Sequence, residues 1–548
     1  MSISFQLAAC VAVLIFGVFI SRNGLRSCLN GLISPILDLY LSSKFSIKDV
    51  EGQSDIPSAT YRFPNGQGDA AKFLHGQANS SLWEKKYGPI YRIWSGMTPE
   101  IVVTRPEHIH EVFKDSDKHI KAANNDSGYF LGELLGKCVG LVSKAEWKKL
   151  RQVTEQAFVR SNAINYGPIV RKRIETHFGE LQADSGLARS IIDPAQDLKI
   201  LPFLIVAEII YGPLSEAMEK ELRDLAPFRE KLWQNVMKGG LTRFIWSKHL
   251  FFTKANRDLQ AFKARWARFN REARDRAARI GDTSSPLPII AMFNAVESGI
   301  VREESILQTL DESLFANLDV TLGGISWNLV FLAAYPGVQD RLRSEVTAAR
   351  IRASSSHDNK EGPQTEAEAA FDRDYLFSSS SYLSACISES SRIRPLAAFS
   401  VPQAAPTPRV VGGYLFPAGT NFIVDSYALN QRNPYWGPDG DKYRPERFLA
   451  EGSRVGEGRG GSSGNGAVSK ARYNFWRFGF GPRQCMGKYV ADLIIRGLLV
   501  YLVENYTLSL METEMKKDGA EINKAKWERD PETWIEHPLM KLRCEVRL

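Results

Sequence analysis

Ten residues near the carboxyl end, Phe478-Gly479-Phe480-Gly481-Pro482-Arg483-Gln484-Cys485-Met486-Gly487, restrict this chain more than any other feature. Three glycines and a proline in so short a run force a tight turn, and such a turn can aim several backbone N–H groups at one atom. The atom at its centre is the Cys485 sulfur. Amide donors beside it, with the amino end of a helix starting near Gly487, favour the thiolate, which is the metal-binding form. Arg483 is placed to reach a carboxylate, and Phe478 to shield the sulfur from water. Two phosphate-binding readings fail on spacing. A phosphate loop needs four residues between its glycines and Ser or Thr after its lysine, whereas five separate Gly481 from Gly487 and Tyr489 follows Lys488. The dinucleotide fingerprint needs a glycine where Gln484 stands.

Three upstream constellations are weak singly. Trp147-Lys148-Lys149-Leu150-Arg151 sets an indole N–H and a guanidinium one helical turn apart. Glu389-Ser390-Ser391-Arg392 puts an acid and a base on one helix face, a pattern usually explained by a solvated pair. Pro445-Glu446-Arg447-Phe448 lies between that pair and the cysteine turn. Taken in order, the four resemble the WxxxR, ExxR, PERF and F-x-x-G-x-R-x-C-x-G elements of the cytochrome P450 superfamily, and Ala491 matches the small residue one turn further on.

The resemblance implies a mainly α fold with small β-sheets, built as a single large catalytic domain. It implies haem b with Cys485 as the iron ligand, set in a turn that includes Phe478 and Gly487, and with Trp147, Arg151 and Arg483 at the haem carboxylates. Glu389, Arg392 and Arg447 become a structural network that locks the cysteine segment. O2 is the co-substrate, and electrons come from NADPH through NADPH-cytochrome P450 reductase. The implied reaction is monooxygenation of a small-molecule substrate by a chain acting as a monomer.

Glu303–Ala334 reads as one long central helix, with an acidic start and Pro336 as its stop. Inside it, Ala316-Asn317-Leu318-Asp319-Val320-Thr321 resembles the family's A-G-x-D-T-T, but Asn317 replaces the glycine and Val320 the first threonine. Valine has no hydroxyl to handle protons during oxygen activation. Asp319 is the candidate acid, with Thr321 and Asn317 as candidate partners. Thr321 lies about 100° round the helix from the usual hydroxyl, so it substitutes only where the helix unwinds or water bridges.

Met1–Ser21 carries no charged side chain and would span roughly 31 Å as a helix, enough for a bilayer core. Arg22 and Arg26 follow, which predicts an uncleaved single-pass anchor in the endoplasmic reticulum membrane with the body in the cytosol. Leu29–Leu41, interrupted by Pro35 and Asp38, reads as an interfacial stretch within a segment 22–64 that leads to the catalytic domain, 65–548. Lys and Arg total 70 against 62 for Asp and Glu, but the excess is dispersed, which argues against a nucleic-acid partner. Six cysteines without CxxC spacing argue against a disulfide scaffold or a zinc site.

Pro89–Trp94 and Ile101–Thr104 read as paired strands joined through Gly96–Glu100, and 106–300 as mostly helical. Ala353–Ala370 and the glycine-rich Glu451–Ser469 read as mobile loops. The cavity is expected from residues 110–140, 200–255 and 396–402, whose sequence carries no substrate code. Lys470, Arg472, Arg477 and Lys488 could meet an acidic reductase. The general style is similar to fungal secondary-metabolism members of the family. Two other functions stay open: a haem-thiolate enzyme of oxidative coupling, dehydration or isomerisation, which Val320 favours, and a non-catalytic haem-binding carrier or sensor.

Overall fold

The computed structural model describes residues 23–250, 253–280, 286–355, 364–449, 472–511, 527 and 533–547. The expected anchor, 1–21, and the glycine-rich 451–469 lie outside the described residues.

Runs of β-branched and aromatic residues build the first sheet. Strands β1 (Ile90–Ser95) and β2 (Thr98–Val103) pair antiparallel with Ile93 opposite Glu100. The two residues left between them, Gly96 and Met97, make the turn, which Gly96 permits at φ +58°. The turn is therefore tighter than the expected Gly96–Glu100 connection. Strands β3 (Ile120–Lys121), β5 (Gln403–Ala404) and β8 (Asn421–Val424) complete the order β1-β2-β8-β5-β3. Every residue of β1 is buried, so this sheet is covered on both faces. A second sheet joins β4 (Ile191–Ile192), β10 (Leu542–Val546) and β9 (Tyr506–Leu510), and β6 (Arg409–Val411) pairs with β7 (Tyr414–Phe416).

Helices supply the rest, as the periodicity predicts. Those that position the site are α1 (Asn23–Lys44), α2 (Lys144–Thr154), α3 (Glu216–Lys238), α4 (Glu303–Phe315), α5 (Val320–Ala334), α6 (Tyr382–Ile393) and α7 (Lys488–Asn505). From Thr321 on, every residue of α5 is buried, which makes it the axis of the helical core. The α4–α5 rod is long and apolar enough to cross a membrane, yet 78% of its most apolar stretch is buried inside the protein, as befits a core helix.

This rod is not the single helix expected from Glu303 to Ala334. It tightens into a 3-10 turn at Ala316–Leu318, and Asp319 takes φ −119°, ψ −61°. Competition for backbone groups explains the break. Asn317 donates its side-chain amide to Ser313 O at 2.7 Å and Leu314 O at 3.3 Å, carbonyls that the helix would otherwise use. The imidazole of His537 meets Asp319 O at 2.8 Å.

One other expectation is corrected. Residues 353–370 are not one loop: a helix runs over Pro336–Ser355 and another over Gln364–Phe371, with 356–363 outside the described residues. Within the stretch expected to be interfacial, α1 runs on through Pro35 and Asp38, where Asp38 Oδ1 accepts the Tyr61 N–H at 2.7 Å and Ser34 Oγ the Phe63 N–H at 3.0 Å, tying the helix to the body. Asp38→Ala leaves the part-buried Tyr61 N–H without its acceptor, a loss of about 1–3 kcal/mol. Hydrogen exchange should then quicken over residues 34–63 while the α4–α5 rod stays protected.

Candidate active site

The turn at Cys485 forms as its glycines require. Gly479 and Gly481 take φ of +83° and +68°, and the 3-10 turn Gly481–Arg483 follows. A Cβ on Gly481 would also strike the Ser116 hydroxyl. Cys485 N–H donates to Phe478 O at 2.8 Å, closing the loop, and the N–H of Gly487, the N-cap of α7, points at the sulfur. Phe478 contributes that carbonyl while its ring lies under the Arg477 guanidinium, 4.5 Å away. Of the four cysteines whose surroundings are described, Cys138, Cys386 and Cys544 are buried, and Cys485 alone is exposed to take a ligand. Surrounding protein still pushes its thiol upward, against the pull of the Gly487 N–H and the Arg151 charge.

Cations gather beside this sulfur. The Arg483 guanidinium lies 4.7 Å over the Trp147 ring and donates to Val142 O at 2.8 Å. One turn on from Trp147, Arg151 pairs with Glu155 at 2.8 Å. Lys121, on β3, completes the corner. Burial and the neighbouring Arg483 charge pull its pKa down to about 7, and burial pulls Arg483 down to about 10. Arg483 depresses Lys121 and Arg151 depresses Arg483, so the crevice crowds cations in a way that a ligand with two carboxylates relieves. The exposed thiol, the indole and these cations therefore fit haem, with Cys485 on its iron and Trp147, Arg151, Arg483 and Lys121 toward its carboxylates. Nothing in the sequence distinguishes Lys121; only pairing of β3 with β5 brings it here.

The Glu389 network stands behind the turn. Arg392 donates Nε and Nη2 to Glu389 at 2.7 and 2.8 Å, and Nη1 to Asn430 O and Gly440 O at 3.0 and 2.6 Å; both side chains are fully buried. Arg447 reaches Glu389 at 3.3 Å and Asp439 at 2.8 Å. Asn430 then exchanges two 2.8 Å hydrogen bonds with the backbone of Trp476, two residues before Phe478. Sequence reasoning found the three charged residues and missed Asn430, which connects them to the cysteine loop.

Opposite lies the central rod. Ala316 is exposed between buried Phe315 and Asn317, and Glu312, one turn earlier, is close enough for its charge to raise the Cys485 thiol. Asp319 lines a cavity of about 210 Å3, walled also by Phe73, Trp233, Phe315, Val401 and Trp534. Asp319 Oδ2 accepts the Trp534 indole N–H at 2.8 Å. The other two sequence candidates are not at the wall. Thr321 is 6% exposed and donates its hydroxyl hydrogen to Asn317 Oδ1 at 2.7 Å, so both side chains are occupied within the helix break. The lining draws on the expected 110–140, 200–255 and 396–402 stretches, and also on Asp69–Phe73 and Trp534.

Lys121 carries a pH test. Its free pKa near 7 rises once a carboxylate neutralises it, so the haem-loaded state holds the extra proton and haem affinity falls as pH rises above 7. Transfer of haem to a scavenging apoglobin should accelerate from pH 7 to 9, by up to about tenfold per pH unit. Lys121→Met should flatten that dependence.

Comparison with known proteins identifies the family. The cytochrome P450 family model matches residues 75–525. The chain is 49% identical to the cytochrome P450 monooxygenase aclC of Aspergillus oryzae over 93% of this chain and 95% of the relative. It is 44% identical to asaD of Aspergillus flavus, over 98% and 94%, and 37% identical to gliC of Aspergillus fumigatus, over 95% and 94%. A zebra fish cytochrome P450 solved with progesterone shares the fold at a TM-score of 0.62 and 17% identity, over 86% of this chain and 99% of that one. A sequence match across most of the chain, with the family's cysteine turn in place, makes this protein a member of the cytochrome P450 family of haem-dependent oxygenases.

Proposed function

We propose that the protein is a haem-thiolate monooxygenase, inserting one atom of O2 into a small secondary-metabolite-type substrate, with electrons from NADPH delivered by NADPH-cytochrome P450 reductase. The observation that carries this reading is the pairing of an exposed, hydrogen-bonded Cys485 with a walled cavity at the break of the central rod. The names of the Aspergillus relatives, all monooxygenases, support it.

Haem bound at Cys485 supplies thiolate-ligated iron able to activate O2 for attack on a C–H bond. The chain supplies position and protons. Gly487 N–H and the start of α7 stabilise the sulfur anion. Trp147, Arg151, Arg483 and Lys121 hold the haem carboxylates, and the Glu389–Arg392–Arg447 network fixes the backbone that carries the ligand. Apolar and aromatic walls exclude water and orient the substrate. Val320 offers no hydroxyl and Thr321 has spent its own, so Asp319, the acid at the cavity wall, holds the proton, while Asn317 and Thr321 keep the helix open.

The membrane reading rests on surface chemistry. Leu32, Ile36 and Leu39 are 69%, 70% and 76% exposed at helical spacing on one side of α1. Met97, on the β1–β2 turn, and Ile245 with Trp246 are exposed too, and the turn packs against Arg243, just ahead of that pair. An apolar surface of this kind suits the cytosolic leaflet of the endoplasmic reticulum, with residues 1–21 as anchor.

The missing hydroxyl favours a second reading, oxidative coupling or dehydration without net hydroxylation. The walled cavity disfavours a carrier or sensor. The deciding measurement is the carbon monoxide difference spectrum of the dithionite-reduced protein beside Cys485→Ser. The native chain should show a strongly red-shifted Soret band that the variant loses. Haem with an unshifted band in both would sink the thiolate assignment.

A further inference from the structure

We propose that protons reach Asp319 from solvent through the carboxyl group of Glu230 on α3, with Lys199 as its partner at the surface. The inference rests on the reading of Asp319 as the acid of the site.

Three observations place the route. Glu230 and Asp319 line the same cavity. Glu230 Oε1 meets Lys199 Nζ at 2.6 Å, and the two side chains are 28% and 37% exposed, so this carboxyl touches both cavity and solvent. Asp319 spends Oδ2 on the Trp534 indole, and no hydrogen bond from another described residue reaches Oδ1.

The other acids of the cavity are committed elsewhere. Asp311 is buried against Arg229 at 2.7 Å. Asp69 faces Lys72 and Arg243, at 3.7 and 3.2 Å. Glu312 accepts the Gly140 N–H at 3.0 Å and faces Lys121 and Arg483. Asp69 and Asp311 are buried and Glu312 is tied to the cation corner, which leaves Glu230 as the acid paired with a surface lysine. The charges that face it are Lys199, Arg229 and Asp319. Burial raises its carboxyl, Lys199 opposes that, the Asp319 charge adds to it, and Arg229 opposes it. The Asp319 charge beside it therefore favours the protonated form of Glu230. A cavity of about 210 Å3 has room for water between them, at roughly 30 Å3 per molecule.

The step balances. The Glu230 carboxyl gives its proton, through water, to the Asp319 carboxylate, which becomes the neutral acid. The Glu230 carboxylate left behind, held by Lys199, takes a replacement proton from solvent. No electron moves. Glu230 is therefore a positioning residue that acts through Asp319.

The test combines a spectroscopic readout with turnover, using the full-length haem-loaded protein. In an infrared pH titration, a protonated-carboxyl band present in the native chain and absent from Glu230→Gln reports this group. Its midpoint should fall in Asp319→Asn, which removes a neighbouring anion, and rise in Lys199→Met, which removes the cation. In reductase-supported NADPH oxidation, Glu230→Gln should be slower by about tenfold with a larger solvent isotope effect, short of the roughly 10²–10⁴-fold expected of a group touching the reacting atoms. Lys199→Met, which breaks the ion pair but keeps the carboxyl, should slow the reaction by less than Glu230→Gln does. Equal losses in both variants would reduce the pair to a structural tie and overturn the proposal, as would a Glu230 band indifferent to Asp319→Asn. A native chain without the red-shifted carbon monoxide band would instead overturn the haem-thiolate reading, which the infrared titration does not depend on.

Discussion

Everything near the cysteine turn depends on the Arg392 guanidinium, a charge with no access to water. Desolvating it costs several kcal/mol, and only a near-complete set of partners offsets that. Glu389 supplies the countercharge, while Asn430 O, Gly440 O and Lys442 O take its remaining hydrogens at 3.0, 2.6 and 3.3 Å. Those carbonyls belong to a segment with little regular structure of its own. The arginine therefore sets the path of 430–442, and through Asn430 and Trp476 the path of the chain that enters the turn. Replacing a buried ion pair by apolar residues is often neutral for stability, so the better account of this one is geometric.

The central rod illustrates the opposite device, local loss of order. Asn317 competes for helix carbonyls, Thr321 closes onto Asn317, and the carboxyl-terminal segment secures Asp319 from outside through Trp534 and His537. The break leaves the Asp319 carboxylate at the cavity wall. A polar group in that position needs partners, and the indole of Trp534 is one.

Legibility in the sequence followed the distance over which residues act. The cysteine turn, the β1–β2 hairpin and the acid–base pair of α6 are local, and composition and spacing revealed them. The central rod was legible as an apolar run, but its interruption was not, because helix periodicity does not register which carbonyls an asparagine will take. Lys121 and Glu312 were illegible for another reason: each looks like an ordinary surface residue until tertiary pairing sets it beside Arg483.

The fastening of Asp319 also orders the birth of the molecule. Its restraints come from Trp534 and His537, and the α5 indole of Trp327 donates to Glu536 O at 2.6 Å in the same stretch. A ribosome makes Trp534 and His537 215 and 218 positions after Asp319. Synthesis thus withholds the fastening of this wall until that later segment has emerged, and a nascent chain has its central rod before Asp319 is held in place.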